Sequence, residues 1–390
     1  MNFFVIFTIF FLWRIIDFLI IFFSQKFIPY LGFFPYKDLL LTYNLPFWLY
    51  SLANFDGLHY LNIAKNNYAQ YEQAFFPLYP LLIKFFSPLF FKNYLLTGIV
   101  ISHLSFFLGL LVIQKYLNLT ISSKPQSRWS NYFWLIFFLL FFPTSFFFTS
   151  VYTEGLFFLL FALSLYFLEK KRYFLTSIFS FLLSTTRFIG VFFIILIVFH
   201  LIKNFKLKIK NFNLLFIFSP FFGLGLYCFY LWKTTGDPLM FLTSQPAFGA
   251  NRSTHLVFLP QVVWRYLKIF FTANHNFQYY ISLFEFVIFF LVLTVLTFDL
   301  FKHFKFNKNF KLKILNYERF GLSLFSFANL LLPTLTGTFS SIPRYALFSF
   351  SFFLYLAQVE NKLIKIVIGV LFFIFHIIFL GLFTQGYFVS

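Results

Sequence analysis

Two carboxylates and a histidine lie close together in the segment NFDGLHYLNIAKNNYAQYEQAFFPLYPLL, which runs from Asn54 to Leu82. Asp56 and His59 are three residues apart, so both side chains lie on one face if the segment is helical. A partly desolvated carboxylate can act as a general base, and a nearby histidine can orient it or bind substrate. The structural alternative is a helix-capping aspartate beside an interfacial histidine. Glu72 is either a second acid or a solvated loop residue.

Three further charged residues lie at the ends of apolar runs: Glu154, Arg187 and Arg344. Glu154 follows TSVYT, where an acid at a helix N-terminus gains roughly 0.3–1 kcal/mol from the helix dipole, which is a sufficient structural reason for it. Arg187 in STTRFIG and Arg344 in SSIPRYALF carry planar forks that suit phosphate or pyrophosphate oxygens. The alternative for each arginine is a side chain that extends from the apolar region to the membrane interface.

The sequence has none of the common patterns of a metal or nucleotide site. Its seven histidines show no HxxxH or HxH spacing. The single cysteine, Cys228, excludes an intrachain disulfide framework and a thiolate metal site. There is no Walker motif, which argues against an ATP-driven pump. We therefore expect no cofactor and no required metal.

The elements that position these residues must be membrane helices. Hydrophobic residues make up 61% of the 390, charged residues only 11%, and the mean hydropathy is +0.84. A soluble domain cannot bury that much apolar surface, so we predict an all-α polytopic membrane protein in contact with membrane lipid. The net charge of +19 would indicate a nucleic-acid partner in a soluble chain. Here the cations lie in short loops between apolar runs, and we expect no nucleic acid.

About eleven apolar runs predict transmembrane helices, since a span needs about 20 residues. They lie near 3–23, 94–116, 132–149, 152–168, 173–186, 187–202, 212–233, 279–301, 318–335, 343–359 and 364–384. The first run lacks a small-residue cleavage pattern, so we interpret it as a retained span. Within it, Arg14 and Asp17 predict an internal ion pair that lowers the cost of insertion.

Two segments depart from the simple pattern of spans. The runs 173–186 and 187–202 are short and form either a tight hairpin of two helices or one kinked span, and the polar turn between them favours the hairpin. The stretch 75–91 contains three prolines, which favours a short re-entrant or interfacial helix in the first outer loop.

The distribution of positive charge predicts the orientation of the chain. Alternating spans put on one side the loops 115–131, 169–172, 203–211, 302–313 and 360–365, which hold 17 Lys and Arg in 48 residues. The opposite segments, 24–93 and 234–278, hold only 8 in 115. The positive-inside rule places the dense loops and the N-terminus in the cytoplasm. We therefore divide the single membrane domain 1–390 into its spans, a first outer loop at 24–93 and a second long outer loop at 234–278.

With this orientation the scarce charged groups lie at the outer face. They are Asp56, His59, Glu72, Glu154, Arg187, Asp237 and Arg344. Charges at membrane depth usually face a cavity or one another. One outer-face cavity that gathers carboxylates and two arginines is the simplest common explanation.

The motifs resemble those of the GPI mannosyltransferase II family and its bacterial relatives, which are GT-C type glycosyltransferases. NFDGLHYLNIAKNNY followed by YEQAFFPLYPLL is similar to the first motif of that family. Three later stretches are similar in the same order: PTSFFFTSVYTEGLFFLLFALSLYF, TTRFIGVFF and IPRYALFSF. The chain departs from the family at Asn54 and Phe55, where a tryptophan usually precedes the aspartate.

The resemblance implies a GT-C type fold and transfer of a sugar, usually mannose, with inversion at the anomeric carbon. The donor would be a polyprenyl- or dolichyl-phosphate sugar, and the acceptor a hydroxyl of a lipid-linked molecule or protein at the outer or lumenal face. Asp56 matches the general base. Arg187 and Arg344 would neutralise the phosphate without a metal, and His59, Glu72 and Glu154 would position donor or acceptor. The short loops favour a prokaryotic plasma membrane over an endoplasmic reticulum.

Two functions of other classes remain as alternatives. A lipid-linked substrate transporter or flippase shares the span count and the outer charges, although the motif around Asp56 has no repeat in the C-terminal half. A structural subunit would use the polar cluster to join helices. An oligosaccharide ligase, of the same class as the transferase, also stays open.

Overall fold

The structure is a computed structural model that describes residues 3–31, 36–120, 125–204, 214–249, 252–306 and 312–389. The α-helices, in chain order, are α1 Phe3–Phe27, α2 Tyr36–Leu41, α3 Phe47–Tyr50, α4 Asp56–Asn66, α5 Leu78–Phe86, α6 Tyr94–Thr120, α7 Pro125–Phe141, α8 Glu154–Glu169, α9 Tyr173–Thr186, α10 Phe193–Lys203, α11 Leu214–Ile217, α12 Ser219–Thr235, α13 Met240–Thr243, α14 Leu259–Thr272, α15 Phe277–Lys302, α16 Tyr317–Leu331, α17 Ile342–Ala346, α18 Phe350–Gln358 and α19 Lys362–Thr384. Short 3-10 helices connect them at Ser51–Ala53, Glu72–Ala74, Ser87–Phe90, Ser145–Phe148, Phe188–Phe192, Gln245–Phe248 and Leu332–Thr336.

Four of the described helices are long and apolar enough to cross a membrane: α1, α6, α15 and α19. Each has at least 23 residues, more than the roughly 20 that a bilayer core requires. The prediction of a helical membrane protein is confirmed at this level. The other predicted spans correspond to shorter helices, and the count of eleven stays a prediction.

Proline interrupts two of the predicted apolar runs, and a third is broken without one. Helix α7 ends at Phe141, two residues before Pro143, because the residue before a proline disfavours helical geometry. Helix α16 passes into a 3-10 helix that contains Pro333 and ends at Gly337, whose φ is 90°. The run predicted at 343–359 is two helices, α17 and α18, with neither proline nor glycine in the break at 347–349. Arg344 lies in α17, just before this break.

The stretch predicted as a hairpin or a kinked span forms two separate helices, α9 and α10. Arg187 between them is extended, with φ −154° and ψ 145°. The 3-10 helix that follows lies so close to α9 that a Cβ on Gly190 would come 2.6 Å from the Leu183 carbonyl oxygen. Helix α9 packs between α8 and α12, whereas α10 packs on α16. The two helices therefore hold Arg187 at a bend in the protein interior.

A pair of short antiparallel strands departs from the all-α prediction. Strand β1, Phe304–Phe306, pairs with β2, Leu312–Ile314, so that Phe304 lies opposite Ile314. The segments FKF and LKI alternate apolar and charged residues, which is typical of strands. This pair overlaps the predicted loop 302–313.

A buried charged network fastens α1 to α19. Arg14 Nη1 lies 2.5 Å from Asp17 Oδ2, as the sequence predicted. His376 Nε2 of α19 lies 2.8 Å from the other oxygen of Asp17, and Arg14 Nη1 donates a 2.8 Å hydrogen bond to Thr149 Oγ1. The network brings α1 against the segment that precedes Glu154.

We predict that Asp17→Leu lowers the free energy of unfolding by roughly 3–5 kcal/mol, because it leaves the buried Arg14 guanidinium without its carboxylate. The double variant Arg14→Met with Asp17→Leu should recover most of that loss. Thermal and denaturant unfolding of the purified protein in detergent measures both effects. The exposed carboxylate variant Asp38→Leu serves as the control. Equal stability of Asp17→Leu and the wild type would contradict the structural role.

Candidate functional site

Asp56 is the first residue of α4, and a strained residue places it there. Phe55 has φ 59° and ψ −120°, a conformation that a bulky residue rarely adopts and that costs about 1–3 kcal/mol. Its ring packs 5.7 Å from that of Phe383. Asn54 Nδ2 donates a 2.9 Å hydrogen bond to the Phe383 carbonyl, and Tyr152 Oη donates a 2.7 Å hydrogen bond to the Asn54 carbonyl. Asn54 and Phe55 thus fix the start of α4.

Four charged residues of alternating sign form a continuous chain, here called the Asp56 cluster: Asp56, Arg344, Glu154 and Arg187. Arg344 Nη1 donates a 2.7 Å hydrogen bond to Asp56 Oδ2. Arg344 Nε lies 2.8 Å from Glu154 Oε1. Arg187 Nη1 donates a hydrogen bond to the same Glu154 oxygen. The cluster contains two carboxylates and two guanidinium groups, so its formal charge is zero.

Each member of the Asp56 cluster comes from a different element. Glu154 begins α8, Arg187 lies at the bend after α9, and Arg344 lies in α17. Helix α8 approaches α6 closely at Gly155, where an added Cβ would lie 2.6 Å from the Ser102 carbonyl oxygen. A larger residue there would displace Glu154. The close packing of helices therefore sets the spacing of the charges.

Aromatic rings and a hydroxyl complete the surroundings of the two arginines. The Arg344 guanidinium carbon lies 5.0 Å from the ring centre of Tyr152, and that of Arg187 lies 5.1 Å from the ring of Tyr345. At this range a cation is attracted to the face of the ring. Arg187 Nη1 also donates a 3.2 Å hydrogen bond to Thr153 Oγ1. These contacts restrict both guanidinium groups to one orientation.

The Asp56 carboxyl is held in its ionised form. Burial raises its pKa, but the charge of Arg344 and its hydrogen bond outweigh this effect, with smaller contributions from His59 and Arg252. The pKa of Asp56 therefore lies below its ordinary value of 3.8. Stabilisation of a carboxylate by a nearby cation and a donated hydrogen bond is the physical cause. Asp56 is a carboxylate throughout the neutral pH range.

A cavity of about 360 Å³ opens beside the Asp56 cluster. The polar and charged residues of its wall are Asp56, Tyr60, Thr153, Thr186, Arg187, Gln245, Arg252, Ser253, Thr254, His255, Thr336, Ser340, Ser341, Arg344 and Tyr345. The Asp56 side chain is 23% exposed, whereas that of Glu154 is fully buried. Asp56 is thus the one carboxylate among the described residues that a molecule in this cavity would touch.

His59 and Glu72 form a second polar contact near the cavity. His59 Nδ1 lies 3.1 Å from Glu72 Oε1, and the Ala69 amide donates a 3.0 Å hydrogen bond to Glu72 Oε2. The His59 ring stacks on that of Phe75 with the centres 5.1 Å apart, and Phe75 is part of the cavity wall. The described wall includes neither His59, Glu72 nor Glu154. These three contact the residues that form the wall.

Of the polar and charged residues in the wall, the sequence pointed to Asp56, Arg187 and Arg344. The residues it did not point to include Tyr60 and Arg252. Tyr60 immediately follows His59 in the first motif. Arg252 lies in the polar stretch GANRSTH within 234–278, a segment with few cations. The scarcity of charge in that segment was the signal that could have identified Arg252.

The described residues contain one group of side chains that could hold a metal ion: Glu169, His200 and Glu318, with ligand atoms within 4.8 Å of one another. It lies at the end of α8 opposite Glu154. Lys203 Nζ is 2.5 Å from Glu318 and already pairs with that carboxylate. None of the three residues belongs to the described wall of the cavity, so this group is separate from it.

Known proteins add no assignment to this arrangement. No family model, no curated protein and no solved structure matches the chain. The chemistry open to the site follows from its geometry. An ionised carboxylate and several arginines face one cavity, a combination suited to accepting a proton from a ligand that also carries an anion.

We predict that Asp56 stabilises the folded protein in a pH-dependent way. A carboxyl group with a lowered folded-state pKa contributes stability that is present above its ordinary value and lost as the pH falls through the folded-state value. The stability difference between the wild type and Asp56→Asn should therefore be constant above pH 3.8 and shrink below it. Thermal unfolding in detergent over a pH series measures this, with Asp38→Asn as the exposed control. A difference that grows on acidification would contradict the ion pair.

Proposed function

We propose that the chain is a GT-C type membrane glycosyltransferase. It moves a sugar, with mannose as the first choice, from a polyprenyl-phosphate donor to a hydroxyl of a lipid-linked or protein acceptor. The observation that carries the proposal is the ionised Asp56 carboxylate, which contacts Arg344 at 2.7 Å and is exposed to a cavity with three arginines in its wall. The order of the motifs around Asp56, Glu154, Arg187 and Arg344 supports the same assignment.

In the proposed membrane topology the chain crosses the membrane eleven times. The N-terminus then lies in the cytoplasm and the cavity at the outer face, as the distribution of Lys and Arg predicts. The membrane is the plasma membrane of a prokaryote, or the endoplasmic reticulum in a eukaryote. Because nucleotide sugars are absent from the outer face, an enzyme there takes its activated sugar from a lipid carrier.

The reaction is an inverting displacement at the anomeric carbon. The acceptor oxygen forms a bond to that carbon while the bond from the carbon to the phosphate oxygen breaks. The electron pair of the broken bond stays on the phosphate, and the acceptor proton passes to Asp56. General-base assistance of this kind contributes about 10²–10⁴-fold to the rate.

The ion pair with Arg344 has two opposing effects on this chemistry. Because it lowers the pKa of Asp56, it makes the carboxylate a weak base toward a free hydroxyl. The hydroxyl proton becomes acidic only as the new bond forms, so proton transfer is late. When Asp56 is protonated, Arg344 keeps only Glu154 as an anionic partner, and Glu154 also pairs with Arg187. The positive charge of Arg344 then becomes available to the departing phosphate, which gains one negative charge in the same step.

The remaining site residues are assigned by their contacts. Arg187 and Arg344 face the cavity and are proposed to neutralise the negative charge that develops on the departing phosphate. Glu154 touches both guanidinium groups and is proposed to hold them in place. His59 and Glu72 contact each other and Phe75, and are proposed to position the wall against which donor or acceptor packs.

We predict that Asp56→Asn removes sugar transfer and leaves the protein folded. The amide keeps the shape of the side chain but cannot accept the proton, so the rate should fall at least about 10²-fold. The assay incubates purified protein with radiolabelled polyprenyl-phosphate-mannose and a panel of lipid acceptors, and Asp38→Asn is the matched control.

Full transfer activity in Asp56→Asn would contradict the general-base role. If the wild type gives no transfer product but moves the labelled lipid across vesicle membranes, the chain is a transporter rather than a transferase. If Asp56→Asn prevents folding, the structural reading of the cluster is the correct one.

A further inference from the structure

Arg252 differs from the other two arginines of the cavity wall in its charge balance. Arg344 contacts Asp56 and Glu154, and Arg187 contacts Glu154. No described carboxylate lies within ion-pair distance of Arg252. The negative charges of Asp56 and Glu154 balance the positive charges of Arg187 and Arg344. The positive charge of Arg252 is therefore left without a balancing carboxylate among the described residues.

The Arg252 guanidinium is nevertheless held in place. Its Nη1 donates a 3.0 Å hydrogen bond to Gln245 Oε1, and its Nη2 donates a 3.3 Å hydrogen bond to Ser341 Oγ. Both acceptors are neutral and both belong to the cavity wall. A guanidinium fork carries five N–H donors, so these contacts orient it and leave donors for a ligand.

The loop that carries Ser341 is itself fixed from the opposite side. The Ser341 amide donates a 3.2 Å hydrogen bond to Glu285 Oε1, and Tyr266 Oη donates a 3.1 Å hydrogen bond to Glu285 Oε2. The backbone that carries Arg252 is anchored as well, because the Ser253 amide donates a 2.8 Å hydrogen bond to the Thr336 carbonyl. Arg252 is thus set before any ligand arrives, which lowers the entropy lost on binding.

The cavity also has an apolar edge. Leu242 and Leu256 belong to its wall, yet they are 41% and 75% exposed. Large apolar side chains exposed beside a charged pocket are suited to the chain of a lipid whose head group enters the pocket. A water-soluble sugar phosphate would gain nothing from them.

We propose that Arg252 is the residue that binds the phosphate of the lipid carrier, with the prenyl chain leaving the cavity past Leu242 and Leu256. This rests on the proposed function and adds to it the first contact of the donor. Arg344 and Arg187 are occupied by carboxylates when the donor arrives, and Arg252 is not. Arg344 contributes its charge later, when Asp56 has taken the proton.

The test is a binding titration of the purified full chain in nanodiscs with a fluorescent short-chain polyprenyl phosphate. The neutral polyprenol of equal chain length is titrated in parallel. A charge-assisted hydrogen bond to phosphate implies that Arg252→Gln weakens binding of the phosphate about ten- to a hundredfold and leaves binding of the polyprenol unchanged. Arg252→Lys should recover part of the loss. The control Lys268→Gln removes an exposed cation of α14 that is outside the cavity wall, and it should bind as the wild type does.

The wild type and Arg252→Gln together separate the role of Arg252 from the proposed donor class. If the wild type prefers the phosphate over the polyprenol and Arg252→Gln keeps that preference in full, Arg252 is not the phosphate ligand and the proposed function stands. If the wild type itself binds both lipids equally, the proposed donor class is wrong. Inorganic phosphate should displace the fluorescent lipid only weakly. Displacement as strong as that by unlabelled polyprenyl phosphate would show that the site takes free phosphate, which would overturn the lipid assignment.

Discussion

The Arg344 guanidinium joins two carboxylates from distant parts of the sequence, Asp56 at 2.7 Å and Glu154 at 2.8 Å. Removal of one partner from such a buried group typically costs about 3–5 kcal/mol, because the other charges stay buried without compensation. Folding must therefore bring together the start of α4 with Asp56, the start of α8 with Glu154 and the bend after α9 with Arg187. This single requirement fixes the cavity wall and leaves one edge of Asp56 open to it.

Because the surrounding scaffold is apolar, each buried charge depends on its partner of opposite sign. Most of the molecule is packed aromatic and aliphatic side chain, and water does not reach Glu154 or Asp17. In such surroundings charges are stable only in pairs, and both Asp17 and Glu154 accept contacts from more than one cationic or histidine side chain. The same low polarity strengthens any contact that Arg252 or Arg344 makes with an anionic ligand. The helix breaks near Arg344, and the strained conformation of Phe55, are local costs that the packing around them offsets.

The sequence predicted the membrane class and the approach of Asp56, Glu154, Arg187 and Arg344, because charge is so scarce in this chain that its positions are informative. Asp237, which was predicted to share the cavity, is absent from the described wall and accepts a hydrogen bond from Thr243 Oγ1. The sequence also predicted the contact between Arg14 and Asp17, since three residues along a helix bring side chains onto one face. It missed what depends on tertiary packing: the partner His376, the positive φ of Phe55 and the division of 343–359 into two helices. Arg252 was missed for a related reason. Only the tertiary structure shows that Glu154 pairs with Arg187 and Arg344 and leaves Arg252 without a carboxylate within ion-pair distance among the described residues.

The ligand proposed for the cavity beside Asp56 is a lipid phosphate. A cryo-electron microscopy structure of the full chain with polyprenyl phosphate would show whether it binds there. We predict density for the phosphate in the cavity, with a phosphate oxygen about 2.7–2.9 Å from an Arg252 nitrogen and the prenyl chain passing Leu242 and Leu256. Lipid phosphate bound elsewhere on the protein, with the cavity beside Asp56 empty, would contradict this assignment of the cavity.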